Sequence, residues 1–204
     1  MQKSRTKSEV KRNQILDAAT LQFTQHGYAA TNMAEIAKQA GVSKQTVYSH
    51  FGNKDELFIT AISYKCEQLG IDDLLPENLG PAEQTLCSFA QRFFAMITSS
   101  DSMAIHRTCA AESIAHPHLS QLFFEAGPIF IINKLATCLA EYHRRGELDI
   151  DDCRSAAIQF LSLIKGEQWT RLEFNIAASL SEQEVDDYLR HSVRLFVRGY
   201  QYID

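Results

Sequence analysis

The sequence contains no long uninterrupted run of apolar residues. A spanning helix needs about 20 mostly apolar residues, and no uninterrupted run of about 18 occurs anywhere in the chain. The first residues are polar, whereas a secretion signal carries an apolar segment. We therefore expect neither a membrane partner nor export, and we predict a cytoplasmic protein.

Paired cysteines are also missing. The five cysteines, at positions 66, 87, 109, 138 and 153, are scattered, odd in number and never arranged as C-x-x-C. This pattern argues against a disulfide framework and against a zinc site. We expect reduced thiols that fill the core, and a redox sensor is the alternative.

Catalytic and cofactor motifs are absent as well. The chain has no nucleophile motif, no phosphate-binding loop and no paired carboxylates at a plausible site, so an enzyme is the disfavoured class and no cofactor is expected. No strand pattern, internal repeat or low-complexity segment is present. The 204 residues, 45% of them apolar, suffice for two cores. Helical periodicity predicts an all-α fold with about nine helices.

What the chain does contain is a helix-turn-helix pattern between Thr31 and Phe51, TNMAEIAKQAGVSKQTVYSHF. Apolar positions such as Ile36 and Val47 are spaced so that one short helix packs across another. Gly41 lies where the chain must turn and positive φ is favoured. Capping residues mark both helix starts, with Asn32 and Glu35 as a capping box and Ser43 before the second helix.

The second of these helices carries long or polar side chains between its buried positions. Such groups can reach base edges and phosphates when a helix enters the major groove. They are Lys44, Gln45, Thr46, Tyr48 and Ser49. His50 occupies a position where an apolar residue is expected, and we predict that Phe51 takes over its packing. An ordinary helical hairpin is the alternative.

The flanking segments extend the pattern. Apolar residues from Ile15 to Phe23 predict a bracing helix that ends at Gly27, and Asn53 with Glu56 forms a capping box that opens a further helix. The segment from Arg12 to Leu57 closely resembles the N-terminal DNA-binding domain of TetR/AcrR bacterial regulators. The resemblance implies that Lys44, Gln45 and Thr46 face bases, whereas Tyr48, His50 and Lys54 approach phosphates. Thr31 and Ser43 could also donate to phosphate.

Charge is distributed unevenly along the chain. Residues 1–55 contain eight Lys and Arg against four Asp and Glu, a net of +4, so the remainder carries −9 of the total of −5. This asymmetry is expected when one end meets phosphates and the other must stay soluble. We predict a DNA-binding domain over residues 1–55, with its helix-turn-helix at about 32–51, and a second helical domain over residues 56–204.

The second domain is rich in aromatic and methionine side chains, which are either plain core or the lining of an apolar pocket. Three segments of this domain resemble an AefR-like branch of TetR/AcrR regulators: AESIAHPHLSQLFFEAGP, RRGELDIDD and FLSLIKGEQWTRLEF. This resemblance implies a small, apolar effector. The candidate ligand-binding residues are Phe89, Phe93, Met96, Met103, His106, Arg107, Cys109, Phe123, Phe124 and Phe130. Arg107 or His106 is expected to face the pocket.

A second cluster, Glu112 with His116 and His118, invites a metal-site interpretation. A metal needs three or four converging ligands, and the two histidines flank Pro117 with no cysteine pair nearby. We therefore predict no metal. Glu112 and His116, four residues apart, should instead form local hydrogen bonds or cap a helix.

The last two helices carry apolar residues on more than one narrow stripe, and Gly166 permits close approach of another helix. The family resemblance implies that these helices pair two subunits, with Phe160, Ile164, Trp169, Leu195 and Phe196 in the interface. A dimer would read a palindromic operator. The chain is thus predicted to be an effector-released repressor of the TetR family. The alternatives are an activator, a redox sensor that acts through cysteines, an enzyme and, weaker still, a nonspecific DNA-coating protein.

Overall fold

The computed structural model describes residues 7–177 and 179–201, with the backbone alone at Cys66 and Asp72. Within these residues every regular element is helical and no strand occurs. The α-helices are α1 (Lys7–Ala30), α2 (Met33–Gln39), α3 (Lys44–Phe51), α4 (Lys54–Gln68), α5 (Ala82–Thr98), α6 (Ser100–Glu112), α7 (Pro117–Phe124), α8 (Phe130–Arg144), α9 (Cys153–Glu173) and α10 (Glu182–Gly199). A π-turn (Glu125–Ile129) joins α7 directly to α8, so the α-helices of the described residues form nine separate segments, beside a short 3-10 helix at Ile71–Asp73. The predicted all-α fold is confirmed.

The helices form two compact units. Unit 1 consists of the described residues up to Leu69 together with Ala104–Gly127, and unit 2 consists of Gly70–Met103 and the described residues from Pro128 onward. The segment 104–127 therefore belongs with the N-terminal helices, although about 35 residues of unit 2 separate it from them in sequence. The predicted domain division after residue 55 stays a prediction.

Side-chain caps begin the short helices of unit 1. Asn32 Oδ1 accepts hydrogen bonds from the amides of Ala34 and Glu35, at 2.9 and 3.0 Å. Ser43 Oγ accepts from the Thr46 amide at 3.1 Å, and Asn53 Oδ1 accepts from the Glu56 amide at 2.9 Å. Each cap satisfies backbone donors that the first turn of a helix leaves unpaired, so the three predicted helix starts are confirmed.

The turn between α2 and α3 is built as the sequence predicts. Gly41 has φ 66°, which places it in the left-handed region that glycine adopts without strain. Beyond it, the amide of Val42 returns to the Ala37 carbonyl at 3.0 Å. The side chains of Ile36 and Val47 are fully buried where the helices cross. This burial fixes α3 against α2.

Unit 2 is a helical layer around α5, with α9 and α10 packed on it and α8 packed on α9. Its interior consists of large apolar side chains from each of these helices, among them Leu86, Phe89, Leu135, Leu139, Phe160, Ile164, Val193 and Phe196. Tyr142 is also fully buried, and its hydroxyl donates to the Gly80 carbonyl at 3.0 Å. The polar end of that ring is therefore satisfied, and its burial carries no unpaired group.

The stretch Pro117–Arg144 runs through α7, the π-turn and α8. Among the described residues it is long and apolar enough to cross a membrane, with a mean hydropathy of 1.4 over its most apolar window. Apolar side chains of α8, including Ile131 and Leu135, are buried, and α8 packs on α9. Pro128 lies inside the π-turn, where its missing amide donor interrupts the regular α-helical hydrogen bonding.

Helix α9 is interrupted at Gly166. Gly166 has φ 52° and ψ −164°, a backbone conformation essentially restricted to glycine. The Tyr188 hydroxyl lies 2.6 Å from the position that a Cβ on Gly166 would occupy, and it donates to the Leu163 carbonyl at 2.6 Å. Because Gly166 has no side chain, the Tyr188 ring of α10 can pack directly against its backbone.

Four cysteines have described side chains, and all four are free thiols. Cys66 is the fifth, and its side chain lies outside the described residues. Burial raises the pKa of Cys138 to about 11, and it also raises the pKa values of Cys87 and Cys153. A raised pKa disfavours the reactive thiolate, which fits thiols that act as small apolar fillers.

Replacement of Gly166 tests the interruption of α9. Gly166→Ala should lower the free energy of unfolding by about 2–4 kcal/mol, because the added Cβ meets the Tyr188 ring and the backbone becomes strained. Gly199→Ala is the control, since no atom lies within 4 Å of its added Cβ. Urea unfolding measures both variants. Equal, small losses would contradict the tight contact with Tyr188.

Candidate nucleic-acid interface

Helix α3 has one buried and one exposed side. Val47 and Phe51 are buried and hold the helix on unit 1. Lys44, Gln45, Tyr48 and Ser49 are exposed on the other side, and Thr46 and His50 are half-buried at its edges. An exposed row of polar and aromatic side chains on a short, fixed helix suits the major groove, where base edges differ in their donors and acceptors.

Local contacts organise this exposed face. The Thr46 hydroxyl lies 2.8 Å from Ser43 Oγ, and the Ser49 hydroxyl donates to the Thr46 carbonyl at 2.8 Å. Lys44 Nζ lies 5.7 Å from the centre of the Tyr48 ring. The ammonium is thus held near the aromatic face yet stays accessible to a phosphate or a guanine.

Phe51 performs the packing role that the sequence predicted for it in place of His50. Its ring also contacts a residue that the sequence prediction omitted. The Arg12 guanidinium lies 5.6 Å from the centre of the Phe51 ring. Arg12 is exposed on α1. Its guanidinium therefore adds a positive charge beside the end of α3. The role of Arg12 is visible only from its contact with Phe51, and the two residues are far apart in sequence.

Thr31 has a structural role in unit 1, and its predicted phosphate contact stays a prediction. Its side chain is buried, with 3% of its surface exposed. The hydroxyl lies 2.8 Å from the Gly27 carbonyl and 3.0 Å from the Gln22 carbonyl, and both carbonyls accept from it. It holds the end of α1 next to the start of α2.

Lys54 also has a partner within unit 1. Its Nζ donates to the Ala29 carbonyl at 3.2 Å and lies 4.3 Å from the centre of the Tyr28 ring. Burial lowers the pKa of Lys54, while the charges of Glu112 and Asp55 act in the opposite direction. In this arrangement the ammonium stabilises the end of α1, and its predicted phosphate contact stays a prediction.

Tyr28 lies at the centre of this region. Its ring stacks with Phe23 and meets Phe58 edge-on, with ring centres 5.8 and 5.3 Å away. Its hydroxyl donates to Asp55, near the start of α4. Burial first, and then the bond with Asp55, raises the pKa of Tyr28 above its ordinary range. The tyrosine therefore remains a neutral donor that ties the end of α1 to α4.

The turn between α6 and α7 adds a third element to this region. Glu112 Oε1 accepts from the Ala29 amide at 3.2 Å, and the His116 ring lies edge-on to Tyr28 at 4.7 Å. His118 Nε2 lies 3.2 Å from Asp55 Oδ2. Glu112 Oε2 and His116 Nε2 lie 3.8 Å apart, which is too long for the local hydrogen bond that the sequence predicted between these side chains. Among the described residues, no group of three or more potential ligands is arranged to hold a metal.

The predicted ligand-binding residues are divided between the two units. Phe89, Phe93 and Met103 are buried in unit 2, where Met96 and Phe130 are half-buried. Cys109 is buried in unit 1, where His106, Arg107 and Phe123 are half-buried and Phe124 is exposed. Phe89 and Phe93 stack with ring centres 5.6 Å apart. The pocket itself stays a prediction.

The short α2, the Gly41 turn and the exposed α3 define a DNA-binding protein of the helix-turn-helix class. Two family models match the chain. Residues 15–61 match the model of bacterial regulatory proteins of the tetR family. Residues 84–202 match that of the C-terminal domain of AefR-like transcriptional repressors. The chain belongs to the TetR family of transcriptional regulators.

Solved structures are similar over nearly the whole chain. A TetR-family regulator from Mesorhizobium loti is 28% identical, with a TM-score of 0.85, over 97% of this chain and all of that one. The flavonoid-responsive regulator FrrA is 33% identical, with a TM-score of 0.82, over 95% of this chain and 98% of that one.

Curated relatives match over shorter segments. The transcriptional activator FasR from Mycolicibacterium smegmatis is 39% identical over 66 residues, which is 32% of this chain and 30% of FasR. Across the first curated relatives, the match spans between 23% and 48% of the relative's length. These relatives are transcriptional regulators.

The roles of two lysines can be separated by experiment. Lys44→Met should flatten the salt dependence of binding to random-sequence duplex by about one charge per subunit, because Lys44 is exposed on α3. Lys54→Met should instead cost about 1–2 kcal/mol of folding stability, through loss of the Ala29 bond and the Tyr28 contact.

Fluorescence anisotropy at several salt concentrations gives the slope, and urea unfolding gives the stability. If Lys54→Met flattened the slope as much as Lys44→Met while stability stayed unchanged, Lys54 would be a phosphate contact and its structural role would be wrong.

Proposed function

We propose that this regulator is a repressor that binds a palindromic operator as a dimer and is released by a small, apolar effector. The observation that carries the DNA-reading part is the exposed face of α3, where Lys44, Gln45 and Tyr48 are accessible and Val47 and Phe51 anchor the helix from behind. Repression is favoured by the match to the AefR-like repressor domain. Activation is the second candidate, because FasR, an activator, is also similar.

Dimerisation would use exposed apolar residues of α9 and α10. Leu195 is 63% exposed on α10, and Ile158 and Tyr188 are also exposed. Phe160, Ile164 and Phe196 are buried within the single chain, so they have no surface to lose on association and would support the interface from beneath. Trp169 is half-buried. A dimer doubles the number of base contacts that one short α3 can make.

The effector would act through α4, and the contacts of unit 1 support this route. Asp55 near the start of α4 accepts from Tyr28 and pairs with His118, and Glu112 accepts from Ala29. A shift of the α6–α7 turn would therefore disturb the contacts that hold α4 to the end of α1. Effector and DNA would then weaken each other's binding by the same factor.

The aromatic residues predicted to bind the effector suit an apolar molecule. Phe89 and Phe93 offer stacked rings, and the similar regulator FrrA is named for its response to flavonoids. We propose a cytoplasmic regulator without enzymatic activity. A redox response is disfavoured, because burial raises the pKa values of Cys87, Cys138 and Cys153.

Substitution of Gln45 tests base reading. Sequences bound by the wild-type protein are first selected from genomic DNA, and binding to them is compared with binding to random duplex. Gln45→Ala should relax the base preference at one position in each half-site and cost about 1–3 kcal/mol on the selected sequence only. An equal loss of affinity on selected and random DNA would show that Gln45 does not read bases.

Substitution of Leu195 tests the dimer. Leu195→Glu places a charge on the exposed apolar face of α10 and should give a monomer at micromolar concentration, measured by analytical ultracentrifugation. Leu21→Glu is the matched control, since Leu21 is an exposed leucine on α1. A wild-type monomer, or a dimer that persists in the Leu195 variant, would contradict the proposed interface.

A further inference from the structure

A small recess lies beside the interruption of α9, entirely within unit 2. It has a volume of about 110 Å³, and its apolar walls are Phe94 of α5, Leu180, and Val185 of α10. Lys165, Gln168 and Tyr188 complete the lining, with Glu167 at its edge. This set, here called the Gly166 recess, shares no residue with the aromatic set predicted to bind the effector. A cavity of this order holds about one six-membered ring.

Most polar groups around the Gly166 recess already have partners. The Gln168 amide donates to Ser179 Oγ at 2.7 Å, and its oxygen accepts from the Ser179 amide at 3.1 Å. The Tyr188 hydroxyl donates to the Leu163 carbonyl. Glu167 is mostly exposed and lies 3.5 Å from the Arg171 guanidinium, which balances its charge. These groups shape the recess, and Lys165 is the cationic residue in its lining.

Lys165 carries a partly desolvated positive charge. Its Nζ lies 4.4 Å from the centre of the Trp169 ring. Burial lowers the pKa of Lys165, while the charge of Glu173 acts in the opposite direction. A cation over a ring face is stabilised less than a cation bound to a carboxylate, and the gain grows where water is excluded. Lys165 lines the recess, so an anion that enters it would draw the ammonium from the Trp169 ring into a charge-assisted contact.

We propose that the Gly166 recess binds a small monocarboxylate, with its apolar body between Phe94, Leu180 and Val185 and its carboxylate on Lys165 Nζ. The apolar walls select a ring or a short chain, and the ammonium selects the negative charge. The volume limits the ligand to about one ring. Tyr188 belongs both to this lining and to the proposed dimer interface. Carboxylate binding is nevertheless measured without DNA, so its test is independent of operator binding.

The chain supplies its own reporter for this site. Trp169 is the single tryptophan of the sequence, and its ring faces Lys165 Nζ. Benzoate added to the full-length protein should change the tryptophan fluorescence in a saturable manner, because the carboxylate draws the ammonium away from the ring. Benzyl alcohol has a similar shape without the charge, and acetate has the charge without the ring. Both should bind at least about tenfold more weakly.

Three variants test the contacts. Lys165→Met should weaken benzoate binding by about tenfold to a hundredfold, the range for loss of one charge-assisted contact. Lys134→Met is the matched control, because Lys134 Nζ lies 5.3 Å from the Phe130 ring elsewhere in unit 2, and benzoate affinity should stay unchanged. Val185→Phe fills the recess while it leaves Lys165 in place, and it should abolish the response. Circular dichroism checks that each variant is folded.

The proposal is overturned if benzoate gives no saturable change in fluorescence. It is equally overturned if benzyl alcohol binds as well as benzoate, because the ammonium then selects nothing, or if acetate does, because the walls then select nothing. Unchanged benzoate affinity in folded Lys165→Met would also overturn it. None of these outcomes bears on operator binding, which is measured separately.

Discussion

The ring of Tyr28 lies where the end of α1, the start of α4 and the α6–α7 turn meet. It packs on Phe23, Phe58 and His116 and donates to Asp55, while Lys54 lies over its face. These partners come from three parts of unit 1, with Phe23 in α1, Lys54, Asp55 and Phe58 in α4, and His116 in the α6–α7 turn. Burial keeps the hydroxyl in its donor form by raising its pKa. The placement of α4, and through it the platform behind α3, depends on this one buried side chain.

The buried and the exposed residues of α3 have different roles. The buried residues of α3 pack against the rest of unit 1 and hold the helix in place. The exposed residues of α3 contribute little to folding, so they remain available for DNA. Thr31 and Lys54 also contribute to the fold, because their polar atoms donate to backbone carbonyls of α1. Polar residues near a binding surface can thus be structural, and their burial and partners decide which role they have.

Sequence reasoning succeeded where the cause of structure is local. The caps at Asn32, Ser43 and Asn53 and the turn at Gly41 follow from chemistry within a few residues, and each was predictable. Long-range packing was not. Nothing near Glu112 or His118 signals that they contact Ala29 and Asp55, and nothing near Gly166 signals the Tyr188 ring that interrupts α9. The aromatic residues gave no sign of which are core, because core and pocket both require apolar side chains.

The central claim is that α3 reads the major groove, and methylation protection of DNA bound by the full-length protein tests it most directly. Dimethyl sulfate modifies guanine N7, which lies in the major groove. The account predicts protection of guanines in two short stretches about one helical turn, or a multiple of it, apart. Bound DNA whose guanines all remain reactive, with protection confined to the backbone or the minor groove, would contradict it.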